Sequence, residues 1–276
     1  MSPHDKKYEF DGFKWEGNGY FGCRRPPAGA TFPQNPRKQP WYALAVALEQ
    51  AKHGNLTNVP RLLEVADKEI DGVLDHACAQ ILGDAGPTAC YPELIEVMRL
   101  NENYEFTFSI CDALSKRGRL GDIPLLLDAF EANQENGDAE IIPIDIADML
   151  DPGDYSIPIA PDECGGMTRY REVIERTWRD LAERLGSEDA LVLRGGLLDV
   201  RSLAKLMHHY AKKPVYFPID LRRKFEAMTG IDCTAFYENR GFCPLPAMAI
   251  VEDFLDSPQV ENFQPGVRYF FGHRVP

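Results

Sequence analysis

Carboxylates are the chemically active side chains that this 276-residue sequence concentrates most strongly. Between Arg119 and Arg169 there is no lysine or arginine, and twelve acidic residues occur there: Asp122, Asp128, Glu131, Glu135, Asp138, Glu140, Asp145, Asp148, Asp151, Asp154, Asp162 and Glu163. Like charges without counter-ions repel one another unless salt screens them or a partner meets them. We predict that these residues form an acidic face that binds a basic protein surface. A solvated face that only aids solubility is the alternative.

Four of these carboxylates have a regular spacing that we compared with the spacing of a metal site. Asp145, Asp148, Asp151 and Asp154 stand at three-residue intervals. A calcium loop needs alternating oxygen ligands, a glycine and a closing glutamate within about twelve residues. This stretch instead crosses a predicted helix end at Pro152, so we predict no metal ion and no cofactor.

Motifs of known catalytic sites are missing from the sequence. None of the six histidines is followed by Glu, which excludes an HExxH zinc helix. The segment from Gly17 to Gly22 fits GxGxxG by letter, but it lacks the preceding strand and the following helix of a dinucleotide site. Cys164 precedes two glycines and has no base beside it in the sequence. We therefore predict that the protein is not an enzyme.

Composition and charge exclude several classes of protein. A net charge of −13 argues against nucleic-acid binding, which depends on Lys and Arg placed against phosphates. No apolar run is long enough for a membrane span or a signal peptide, and we predict a cytoplasmic protein without a membrane partner. The seven cysteines contain no CxxC pair, and we expect reduced, mostly packed thiols.

A repeat of 32 residues organises the first half of the chain. An apolar residue followed by proline recurs at Val59-Pro60, Tyr91-Pro92 and Ile123-Pro124, and a glycine precedes each proline by six residues, at Gly54, Gly86 and Gly118. Proline is tolerated in the first turn of a helix, and glycine commonly follows the last turn. Each unit is therefore predicted to be an antiparallel pair of helices, as in an α-solenoid. The acidic segment from 131 to 138 interrupts this register.

The signatures of tetratricopeptide and ankyrin repeats are missing, and the units resemble short HEAT-like repeats of the phycobilisome-lyase type over residues 41–153. The predicted fold class is all-α, an α-solenoid of HEAT-like helix pairs with an irregular N-terminal arm and a short C-terminal strand or tail. Further helices are predicted from Tyr170 to Leu185, before Gly186, and over Val200–Lys212, Asp220–Thr229 and Pro246–Leu255. The predicted segments are an aromatic and proline-rich arm (1–40), the repeats (41–153), an acidic loop with further helices (154–213), and a C-terminal helical segment with its tail (214–276).

The most individual string is QPGVRYFFGHRVP, from Gln264 to Pro276. Together with RRKFEAMTGID, from Arg222 to Asp232, it resembles the ending of HEAT-like immunity proteins that are encoded beside bacterial polymorphic toxins of the contact-dependent or Rhs kind. The resemblance implies an inhibitor that binds a cognate toxin domain and occludes its active site, and it transfers no functional residues. A HEAT-like scaffold or chaperone for another cellular protein is the alternative, followed by a HEAT-like lyase. A strand or tail whose aromatic side chains cap the last helices would explain the string without any function.

Overall fold

The computed structural model describes residues 19–66, 72–100, 104–136, 139–153, 156–213, 217–239 and 241–276. This part of the chain is mostly helical, and its strands form only two-residue hairpins. The predicted all-α class is confirmed at this level. None of the described helices has the length and hydropathy of a membrane span.

The helices are α1 (Pro40–Lys52), α2 (Gly72–Ala85), α3 (Tyr91–Leu100), α4 (Tyr104–Arg117), α5 (Ile123–Ala132), α6 (Ile141–Leu150), α7 (Met167–Leu185), α8 (Val200–Ala211), α9 (Ile219–Thr229) and α10 (Pro244–Asp256). The strands pair as β1 (Val192–Leu193) with β2 (Gly196–Leu197), β3 (Tyr237–Glu238) with β4 (Gly241–Phe242), and β5 (Tyr269–Phe270) with β6 (His273–Arg274). Short 3₁₀ segments lie before α1, between α1 and α2, and between α6 and α7: Gly19–Gly22, Pro60–Glu64 and Pro161–Cys164.

Glycine ends the helices where the sequence predicts it. Gly54, Gly118, Gly186 and Gly230 follow α1, α4, α7 and α9 and have positive φ angles, which a residue with a Cβ rarely adopts. At Gly118 an added Cβ would lie 2.6 Å from the carbonyl oxygen of Val192, so this close approach also needs glycine. The helices predicted after Tyr170 and Val200 are confirmed as α7 and α8.

The first repeat differs from the prediction. A helix begins one residue before Pro92 and one residue before Pro124, as expected, but Pro60–Glu64 forms a short 3₁₀ helix. Its 3₁₀ geometry stacks side chains three residues apart. Arg61 and Glu64 use that spacing for an ion pair of 2.7 Å, while Leu62 and Leu63 are buried.

The chain forms two compact units. Unit 1 consists of Met1–Cys90 and Asp199–Pro276, and unit 2 consists of Tyr91–Leu198. The boundary falls between the first and second repeats, which divides the chain differently from the four segments predicted above.

Unit 2 is built around α4, which packs against α3, α5 and α6. Phe106, Ile110 and Leu114 of α4 are buried, as is Tyr170 of α7, whose ring meets Phe130 at 5.8 Å. The β1–β2 hairpin closes the C-terminal end of α6, because the N–H groups of its two turn residues donate to the carbonyl oxygens of residues 148 and 149. Free carbonyls at a helix end thereby gain partners.

In unit 1 the C-terminal string folds as the β5–β6 hairpin on the ends of two helices. The Arg268 guanidinium donates to the carbonyl oxygens of Gly86 and Gly83 at 2.8 and 2.6 Å, at the end of α2. The N–H of Phe271 donates to the carbonyl of Ala227 at 2.6 Å, near the end of α9. Phe270 is fully buried. The string therefore has the structural role considered above, as a cap on helix ends.

Candidate functional site

All of the net charge of the protein belongs to unit 2. Residues 91–198 contain 23 acidic and 10 basic residues, a net charge of −13, whereas the residues of unit 1 contain 20 of each sign. The carboxylates of so acidic a unit repel one another and attract basic surfaces. The arginine-free stretch 119–169 holds only twelve of these 23 acidic residues, and the unit boundary that groups them all is a property of the tertiary structure.

Three of the twelve predicted partner-binding carboxylates are buried in the core of unit 2. Asp122, Asp145 and Asp151 are at most 4% exposed. Asp122 lies 3.0 Å from Arg119, and Asp145 lies 3.7 Å from Lys116. The prediction that these three carboxylates lie on the surface is wrong. They are buried, and each has a hydrogen-bond or ion-pair partner.

Three more of the twelve have counter-ions from distant parts of the sequence. Arg171 of α7 pairs with both Asp128 and Glu131 of α5. Arg194 of the β1–β2 turn lies 2.6 Å from Asp148 of α6. The assumption that the acidic stretch lacks local counter-ions is wrong at these positions, because the tertiary structure brings in arginines from outside it.

Four of the twelve are exposed and lack an ion pair within the described part of the chain: Glu135, Glu140, Asp162 and Glu163. Glu140 directly precedes α6, where Ile144 is 46% exposed. Glu163 accepts a hydrogen bond from the N–H of Ile159 at 3.2 Å. Asp138 and Asp154 lie outside the described residues. Within the described residues, the predicted face therefore keeps these four carboxylates without an ion pair, together with Asp128 and Glu131, which are exposed but share Arg171.

Unit 2 also exposes carboxylates that the sequence analysis did not select. They lie on α3, on α7 and before β1: Glu93, Glu96, Glu172, Asp180, Glu183 and Glu188. No basic side chain of the described residues lies within ion-pair distance of them. A count of acidic residues over 91–198, rather than over one arginine-free stretch, would have found them.

No group of three His, Cys, Asp or Glu side chains in the described ranges is arranged to hold a metal ion. Two of the evenly spaced aspartates, Asp145 and Asp151, are buried, while Asp148 is paired with Arg194. All seven cysteines are free thiols, and five of them are buried. Burial, and then the charges of Asp145 and Asp112, raise the pKa of the Cys111 thiol, which makes it a poor nucleophile.

A buried ionic cluster joins α4 and α6 in unit 2. The Lys116 ammonium lies 3.1 Å from Asp112 and 3.7 Å from Asp145, and all three side chains are 12% exposed or less. One cation thus neutralises two carboxylates in a low-dielectric region, where an unpaired charge is costly. This cluster holds the helices together and is inaccessible to a partner.

A second buried polar cluster lies in unit 1. The Tyr20 hydroxyl donates to Asp84 at 2.7 Å, and Lys224 donates to the other oxygen of Asp84 at 2.9 Å. Burial, and then the Asp84 charge, raise the pKa of Tyr20 well above its usual value, so its hydroxyl remains a donor. Beside them, the Glu226 carboxylate lies 3.1 Å from Arg222 and is fully buried.

Glu226 is expected to make the stability of unit 1 depend on pH. Burial raises the pKa of this carboxyl to about 7, against the opposing effects of the Arg222 charge and of the N–H groups of Phe21 and Tyr20. The Glu226 carboxyl therefore binds its proton more tightly in the folded protein than in the unfolded chain. The stability that this protonation contributes is lost as the pH rises from about 4.5 to about 7. Over this window the free energy of unfolding should fall by about 1–3 kcal/mol more in the wild type than in Glu226→Gln.

Urea unfolding of both proteins at several pH values measures this difference. Glu238→Gln, at an exposed position of unit 1, serves as the control and should follow the wild type. Parallel curves for the wild type and Glu226→Gln would contradict the assignment.

Comparison with protein-family models, with curated proteins and with solved structures gives no match to this chain.

Proposed function

We propose that the protein is an immunity protein: an inhibitor that binds a cognate bacterial toxin domain in the cytoplasm and occludes its active site. The observation that carries the proposal is the concentration of the whole net charge of −13 in unit 2, whereas the net charge of unit 1 is zero. Such a distribution is expected of a protein whose one unit binds a basic surface.

Charge complementarity supports inhibition by occupation of the toxin site. Domains that act on nucleic acids or on phosphorylated cofactors have basic clefts, since their substrates are anionic. Exposed carboxylates such as Glu135, Glu140 and Asp162 offer negative charge to such a cleft without supplying a reactive group. Binding alone would then block the toxin.

The helix pairs of unit 2 support a HEAT-like arrangement within this proposal. Consecutive helices α3 and α4 pack together, as do α5 and α6, and α4 also packs against α6 of the following pair. In a solenoid each pair contacts its neighbour, which creates an extended surface for a partner. We propose that unit 2 is a short stack of this kind.

Capture and rescue together test the function. The tagged protein is used to pull down the C-terminal toxin domain encoded by the neighbouring gene, and cells that produce this domain are tested for growth with and without the protein. Immunity requires both capture and growth. Failure of both would overturn the proposal, and capture of a different cellular protein would favour the scaffold alternative.

Association with the toxin domain is expected to depend steeply on salt. The rate constant should fall by about tenfold to a hundredfold from about 50 mM to about 500 mM salt, because screening weakens long-range attraction. The triple variant Glu135→Gln, Glu140→Gln, Asp162→Asn should associate more slowly at low salt. Stopped-flow or surface-based kinetics measure both effects.

A matched control removes the same number of exposed charges from unit 1, through Glu238→Gln, Asp253→Asn and Asp256→Asn. It should leave the association rate within about twofold of the wild type, because unit 1 has no excess of negative charge. Equal slowing by both triple variants would show that the contact does not involve these carboxylates of unit 2 in particular.

A further inference from the structure

Residues Gly19–Cys23 are bound in unit 1 through the same kinds of contact that a receptor makes with a bound peptide. Tyr20 is 2% exposed, and its hydroxyl donates to Asp84 at 2.7 Å. Lys52 of α1 donates to the carbonyl oxygen of Tyr20 at 2.6 Å. The N–H of Phe21 donates to Glu226 of α9 at 3.2 Å. Charged side chains thus contact the main chain on both sides and the tip of the tyrosine, which are the groups that peptide-binding sites recognise.

The two carboxylates of this site are each shared between a cation and the segment. Asp84 gives one oxygen to Lys224 at 2.9 Å and the other to the Tyr20 hydroxyl. Glu226 gives one oxygen to Arg222 at 3.1 Å and the other to the N–H of Phe21. If the segment left, both carboxylates would keep their own cations. A buried charge becomes costly when its counter-ion is removed. Departure of the segment would remove no counter-ion, so the charges of the site would remain balanced.

The other side chains that line this site restrict which residue types can occupy the positions of the segment. The Tyr20 ring meets Phe270 and Phe271 edge to face at 5.4 and 6.0 Å. The Phe21 ring meets Phe271 at 5.4 Å. At Gly19 the φ of +51° favours glycine, and an added Cβ would lie 2.2 Å from an oxygen of Glu226, so this buried side chain would have to move. The site therefore selects the order glycine, tyrosine, aromatic residue.

An exposed connection joins the segment to the rest of unit 1. Arg24 and Arg25 are exposed, and Pro27–Ala30 forms a turn in which the N–H of Ala30 donates to the carbonyl of Pro27 at 3.0 Å. A Cβ added at Gly29 would meet no atom within 4 Å. The link can thus be altered without disturbing the packed residues.

We propose that this pocket, formed by Lys52, Asp84, Lys224, Glu226 and the β5–β6 hairpin, is a binding site for Gly-Tyr-aromatic peptide segments in the 3₁₀ turn that Gly19–Gly22 adopts, and that residues 19–23 fill it as an exchangeable plug. The covalent link gives the plug an effective concentration of about millimolar, so an external peptide competes poorly until the link is cut. The site belongs to unit 1 and does not depend on the function proposed for unit 2.

The test cuts the link in the folded, full-length protein. A protease recognition sequence replaces the Pro27–Ala30 turn, and a fluorescent peptide with the sequence of residues 18–23 is added before and after cleavage. Fluorescence polarisation should show at least about tenfold tighter binding to the cleaved protein. The Tyr20→Phe peptide should bind about tenfold to a hundredfold more weakly, because it lacks the hydroxyl that Asp84 accepts. The Gly19→Ala peptide should bind at least about tenfold more weakly, because alanine is disfavoured at a positive φ and its Cβ would displace Glu226.

Equal affinity for the three peptides, or equal binding before and after cleavage, would overturn the proposal. Loss of the helical circular dichroism on cleavage would also overturn it, because the segment would then be part of the core. A second variant, Gly19→Ala in the uncleaved chain, separates these cases by hydrogen exchange. The amides of Tyr20 and Phe21 should lose protection while those of α9 keep it, and simultaneous loss in both places would show an integral part of the fold.

Discussion

Replacing Lys116 by methionine is expected to lower the free energy of unfolding of unit 2 by about 3–5 kcal/mol. The ammonium lies 3.1 Å from Asp112 and 3.7 Å from Asp145, and these carboxylates are only 4% and 3% exposed. Without the cation, two negative charges would face each other between α4 and α6. Neither carboxylate can turn into bulk water without separating the helices, so the lost attraction of the ammonium to two buried carboxylates falls on the folded state.

Hydrogen exchange at the amides of α4 and α6 measures this loss for unit 2 by itself. Arg169→Met is the matched control, since it removes one positive charge from an exposed position of α7. Adding Asp145→Asn to Lys116→Met should recover part of the lost stability, because one of the two buried negative charges is then absent. If Lys116→Met and Arg169→Met had the same small effect, the ionic cluster would not contribute as proposed.

Replacing Arg268 by methionine is expected to lower the free energy of unfolding of unit 1 by about 3–5 kcal/mol, because a hydrogen bond to a charged group contributes about 1.5–3 kcal/mol and two are lost. The guanidinium is buried and donates to the carbonyl oxygens of Gly86 and Gly83. Methionine fills much of the same volume but donates nothing, so both carbonyls would lose these bonds inside the protein.

Denaturant unfolding of this variant is compared with that of two others. Arg274→Met changes an exposed arginine of the same hairpin and should cost less than about 1 kcal/mol. Arg268→Lys keeps the charge but lacks the planar fork that reaches two carbonyls, so an intermediate loss is expected. Equal effects of Arg268→Met and Arg274→Met would show that the two hydrogen bonds add no stability.

The role of Arg268 bears on the resemblance to immunity proteins. The string from Gln264 to Pro276 caps helix ends through its main chain and Arg268, while Phe270 fills the core of unit 1. In this chain the string is therefore explained by folding. Support for the proposed inhibition comes instead from the charge of unit 2, and the capture and rescue experiment decides it.

Local signals in the sequence determined the helices. Proline near the first turn and glycine after the last turn bracket a helix because of their own φ angles and hydrogen-bonding groups, whatever lies nearby in space. Gly186 and Gly230 end α7 and α9 at the predicted places for this reason. One exception is Pro60–Glu64, where the local pattern fitted a helix and a 3₁₀ turn formed, and another is Gly86, which follows α2 without a positive φ.

Only the tertiary structure decided which carboxylates can meet a partner. Asp128 and Arg171 are 43 residues apart in the sequence and form an ion pair, while Asp145 is enclosed between helices. The pocket around Tyr20 likewise draws Asp84 from α2 and Lys224 from α9, which are 140 residues apart. The energy of a charge depends on its surroundings within a few ångströms, and the packing of distant segments sets those surroundings.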